Sequence, residues 1–213
     1  NIEEKKWNTF RKNMMSGEKG VDYWAKWFRE QKEKHPDKVG ELLAECSPRD
    51  WTSSNILEKL EDHDLAASML AKVEADFRPQ REVQANILEA VQGPEIAAGI
   101  LAATNRYNKP EDEPYETAAG ILAEIQKKRK AAHILVAVDP LERAANILAA
   151  VEEPAKAADI LKSMEEDDGQ KYVTKMDPMR AAPILEKMEP LLAAKLLLVF
   201  NVGDEREILD AMP

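Results

Sequence analysis

Between Ala131 and Leu161 the pattern Ala-Ala-x-Ile-Leu is written three times, with starts 13 residues apart. In the middle copy Ala144, Ile147, Leu148 and Val151 stand at i, i+3, i+4 and i+7, which places all four on one face of a helix. The flanking copies give Ala131, Ile134, Leu135, Val138 and Ala157, Ile160, Leu161, Met164. A small leading residue lets a neighbouring helix approach closely. The two aliphatic side chains then fill the space between, each gaining about 1.5–3 kcal/mol on full burial. One long helix is excluded by Pro140 and Pro154, which fall between the copies behind Asp139 and Glu153. Proline breaks a helix interior but is tolerated at its first position, where a preceding acid complements the N-terminus. Asp-Pro and Glu-Pro therefore predict a stop, a turn and a new start, with Asp139 and Glu153 as caps rather than metal ligands.

Extended outward, the unit occurs ten times, with first aliphatic positions at Ile56, Met69, Ile87, Ile100, Ile121, Ile134, Ile147, Ile160, Ile184 and Leu196. The leading residue is Ala in eight copies, Ser53 in the first and Gln84 in the third. Most steps are 12 or 13 residues, and the longest, of 18, 21 and 24, separate groups. Two units 13 apart predict a helical hairpin, and a hairpin that cannot bury its apolar face alone predicts a stacked array. Between Ile121 and Ile134 the sequence Gln126-Lys127-Lys128-Arg129-Lys130 contains neither Pro nor Gly, so a break and a continuous helix are equally consistent with it. Pro183 lies inside its copy and predicts a delayed or kinked helix.

Residues 1 to about 50 carry no copy. With Trp51 at the boundary, they hold seven of the twelve aromatic residues: Trp7, Phe10, Tyr23, Trp24, Trp27, Phe28 and Trp51. Two readings fit, a helix capping the first hairpin and an aromatic anchor for a partner; the cap is the simpler. Two acidic stretches, Asn105–Glu116 and Glu165–Lys175, read as loops interrupting the array. The side chains expected to meet a protein partner are Trp7, Trp24, Trp27, Phe28, Tyr107 and Tyr115.

The charge balance argues against nucleic acid, which needs a basic footprint: the net charge is -10 and the pI about 5.0. The basic run Lys127–Lys130 spreads around a helix and reads as solvated surface. The best apolar run, Leu191–Phe200, is too short for a membrane span and contains Lys195. Cys46 is the single cysteine, so no intramolecular disulfide forms, which favours a reducing compartment. The sequence begins at Asn1, consistent with a processed mature chain that has lost a targeting peptide or with a piece of a longer one. A soluble chain is expected, intracellular or organellar.

Catalytic and metal signatures are lacking. His35, His63 and His133 have no ligand-like spacing, and Glu61-Asp62-His63-Asp64 reads as a turn. An EF-hand with Gly169 at its sixth position would put Met164 first, where no ligand is possible. No glycine-rich phosphate loop occurs, and Cys46 has no evident base beside it. No catalytic, cofactor or metal residue is assigned, and the chain reads as a non-enzyme.

The run Met176-Asp177-Pro178-Met179-Arg180-Ala181-Ala182-Pro183-Ile184-Leu185-Glu186-Lys187-Met188-Glu189-Pro190-Leu191-Leu192-Ala193-Ala194 resembles the repeated helices in the cytoplasmic N-terminal domain of MgtE-type magnesium transporters. The superhelix of the flagellar rotor protein FliG is similar. The resemblance covers roughly residues 51–213 and is clearest from 118 to 200. It implies the packing of helices more than a function. Transporters of that type continue into nucleotide-binding-like modules and membrane helices, and this sequence holds neither. Acidic residues of that domain help bind regulatory magnesium, but none matches here position by position, so no ligand is carried over.

The expectation is an all-α chain. Residues 1–50 form an aromatic-rich helical extension, and residues 51–213 a right-handed superhelical array of short helices, about 13 residues apart, in stacked hairpins. The function expected first is a non-catalytic scaffold or linker for protein partners in a larger assembly, organellar or peripherally membrane-associated settings included. The alternative is a magnesium-sensing regulatory domain, with magnesium the one cofactor in question.

Overall fold

The computed structural model describes residues 8–9, 12–13, 20–32, 34–35, 52–73, 79–107 and 115–197. Every regular element among them is helical. The chain divides into two compact units, Asn1–Thr104 and Asn105–Pro213.

The first unit contains α1 (Val21–Lys32), α2 (Thr52–Lys59), α3 (His63–Ala71), α4 (Gln80–Ala90) and α5 (Pro94–Thr104). The second begins with a 3-10 turn, Asn105–Tyr107. It continues through α6 (Glu116–Glu124), α7 (Lys128–Val136), α8 (Leu141–Ala149), α9 (Pro154–Lys162), α10 (Glu166–Lys175), α11 (Pro178–Glu186) and α12 (Pro190–Leu197). A helix this short is marginal in isolation, so its stability comes from the stripe it buries. All ten aliphatic positions of the repeat, from Ile56 to Leu196, are buried. So are the leading Ser53 and Gln84, which stand in the place of alanine.

The stacking follows alternation. In the second unit α6, α8, α10 and α12 lie one against the next, and α7, α9 and α11 do the same, making two rows of hairpin-connected helices. In the first unit α2 packs on α4, α3 on α5, and α1 on α2. The turns are held by side chains reaching exposed helix-end carbonyls. Arg29 donates from Nε to the Leu60 carbonyl (3.1 Å) and from Nη2 to that of Lys59 (2.7 Å). Buried Gln84 donates from Nε2 to the Leu70 carbonyl at 3.0 Å.

Several local expectations change. The acidic stretch Glu165–Lys175 is not a loop but helix α10 with the residue before it. Gly169, Tyr172, Val173 and Met176 make its buried stripe at the same i, i+3, i+4, i+7 spacing. The 24-residue step is thereby two steps of 12, Ile160 to Tyr172 to Ile184. The open junction between Ile121 and Ile134 is a break: Ile125 leaves the helix with an extended backbone, and Lys128 Nζ donates to the carbonyls of Ala123 (3.0 Å) and Ile125 (2.7 Å). Pro183 does not delay α11, which starts at Pro178 and runs through it. The hydrogen bond it removes would have gone to the carbonyl of Met179, an exposed residue where water can serve.

Side-chain capping occurs at Asp62, which accepts from the Leu65 N–H (2.9 Å), and at Asp177, which accepts from that of Met179 (2.8 Å). Glu153 holds the N-cap position of α9 without a side-chain cap bond and pairs with Lys156 at 2.8 Å instead. Asp139 lies one residue before the N-cap Pro140, and its carbonyl accepts from Arg143 Nη1 at 3.2 Å.

Candidate interaction surface

Three of the four aromatic residues of α1 are buried in the first unit. Trp24, Trp27 and Phe28, named above as candidate partner contacts, are 2%, 8% and 0% exposed, so their side chains are buried within the chain. They stack edge to face, with ring centroids 5.8 Å apart for Trp24–Trp27 and 5.2 Å for Trp27–Phe28. The helix that carries them, α1, packs on α2. Tyr23 meets Trp24 at 5.2 Å and remains partly exposed. Tyr115 is half-buried at the N-cap of α6, with a left-handed backbone (φ 70°) and no side-chain cap bond. Trp7, Cys46 and the Tyr107 side chain lie outside the described residues.

What the array does display follows from its register. Two residues before the leading small position, a side chain points away from the stripe. From α3 to α12 that position holds Asp64, Glu82, Glu95, Glu116, Arg129, Glu142, Ala155, Asp167, Met179 and Leu191. Charge is the rule as far as α8, and α11 and α12 replace it with large apolar side chains. Met179 is 72% exposed and Leu191 74%, on two helices that contact each other. Sequence reasoning passed over both: Leu191 opens an apolar run, and Met179 stands alone between Pro178 and Arg180. The signal was their place, directly after the acid-Pro turns Asp177-Pro178 and Glu189-Pro190.

Around them the second unit is laced with ion pairs between row neighbours. Lys175 of α10 meets Glu142 of α8 at 3.1 Å, and Lys195 of α12 meets Glu166 of α10 at 2.9 Å. Backbone hydrogen bonding and the Lys175 ammonium hold the Glu142 carboxyl below its ordinary range. Lys156 bridges Glu124 and Glu153, both at 2.8 Å, and hydrogen bonds to the two carboxylates raise its ammonium above the usual value. A buried polar contact also joins the rows: the Tyr172 hydroxyl donates to the Leu135 carbonyl at 2.7 Å. Burial, and secondarily the charge of Asp168, push its phenol far above the ordinary range.

His63 is the first residue of α3 and exposed. Its ring occupies the space where a side chain at Gly99 would begin. His133 is exposed, as the third position of its unit predicts. Among the described residues no group of three His, Cys, Asp or Glu side chains is placed to hold a metal ion. Nor is any helix among them long and apolar enough to cross a membrane.

Acid-Pro turns open α8, α9, α11 and α12, and each of these helices buries its leading alanine. Residues 126–213 match the family model of the MgtE intracellular N domain. The match opens in the break between α6 and α7 and, among the described residues, takes in helices α7 to α12. It is narrower than the resemblance seen in the sequence: α2 to α6 bury the same stripe but lie outside the matched segment. The exposed pair Met179 and Leu191 falls inside the MgtE N domain segment, and the aromatic helix α1 outside it. Neither the curated proteins nor the solved structures give a match to the chain.

Proposed function

We propose that the chain is a non-catalytic helical-repeat scaffold or linker that brings protein partners together in a larger assembly. The observation that carries this reading is the register switch on the outward positions. A position kept charged along most of the array becomes large and apolar in α11 and α12, both inside the MgtE N domain segment. Exposed apolar side chains on neighbouring helices suit contact with a protein better than contact with water. The net charge of -10 disfavours nucleic acid as that partner.

A native pull-down with mass spectrometry tests it, run at two magnesium concentrations with the wild-type chain and with the Met179→Glu, Leu191→Glu double variant. A stoichiometric partner set held at both concentrations and lost from the variant supports the proposal. A chain that captures nothing overturns it. Partners retained by the variant remove α11 and α12 from the contact.

The second reading is a regulatory domain responsive to magnesium, favoured by the family match and the acidic balance. It requires millimolar magnesium to raise the melting temperature beyond calcium and ionic-strength controls. An unmoved melting temperature removes it.

A further inference from the structure

We draw no further inference here: the strongest candidate, the exposed apolar pair Met179 and Leu191 at the starts of α11 and α12, is the surface already described, and nothing in the structure shows what covers it.

Discussion

Removing the Tyr172 hydroxyl measures a single buried contact between the rows. The Leu135 carbonyl that it reaches also accepts from the Val138 N–H at 3.0 Å, so Tyr172→Phe leaves no orphaned acceptor. The expected loss is about 1 kcal/mol in urea unfolding, the value of one neutral hydrogen bond. The same residue gives a sign to the alkaline limb. Its folded-state pKa is raised, so its contribution is fully present below the ordinary tyrosine value of 10.0 and is lost as pH rises through the folded value. Tyr172→Phe should flatten the decline in stability above about pH 10, and coincident curves for the two proteins would show that the hydroxyl is not held as described. Gly99 offers a second test. Glycine inside a helix costs about 1 kcal/mol against alanine, yet α5 keeps it where the His63 ring lies. Gly99→Ala should destabilise the wild type but stabilise a His63→Ala background by up to about 1 kcal/mol. An effect of the same sign in both would mean that the ring does not need the space.

For the elements, the decisive prediction is Ile147→Ala, in the most regular helix. The side chain is fully buried, so the loss should be about 2–5 kcal/mol. A change below about 0.5 kcal/mol, typical of a surface site, would mean that the stripe faces elsewhere. The stripe was legible because the aliphatic pair recurred in ten copies, with alanine leading in eight of them. It was illegible in α10, where position persisted and type did not. Glycine replaces the leading alanine, at a place where a Cβ would lie a tight 3.1 Å from Leu196 Cδ2, and Tyr172 and Val173 replace the aliphatic pair. The acids Glu166, Asp167 and Asp168, read as loop, stand in the first turn, where the helix dipole favours them. The break before α7 carried no Pro or Gly because Lys128 supplies the cap from inside the next helix. The aromatic run of α1 was ambiguous for a plainer reason: large rings at helical spacing serve a core and an interface equally well.

Across the whole molecule, hairpin stacking was readable from the step lengths, whereas the pairing of each helix with the next but one was not. Periodicity says which face is buried but not against which neighbour. The division after Thr104 was also hidden, since the repeat continues on both sides of it. Residues 105–213 produced alone should give a helical spectrum and a single cooperative melt; a gradual, non-cooperative melt would show that they depend on the rest of the chain. The two-row build of this unit has a mechanical consequence. Strong contacts run along each row, and fewer run between rows. The chain crosses from one row to the other at every turn, so the rows are tied covalently at each step and cannot slide freely past each other. The Tyr172–Leu135 hydrogen bond adds a noncovalent tie to these, between α10 of one row and α7 of the other.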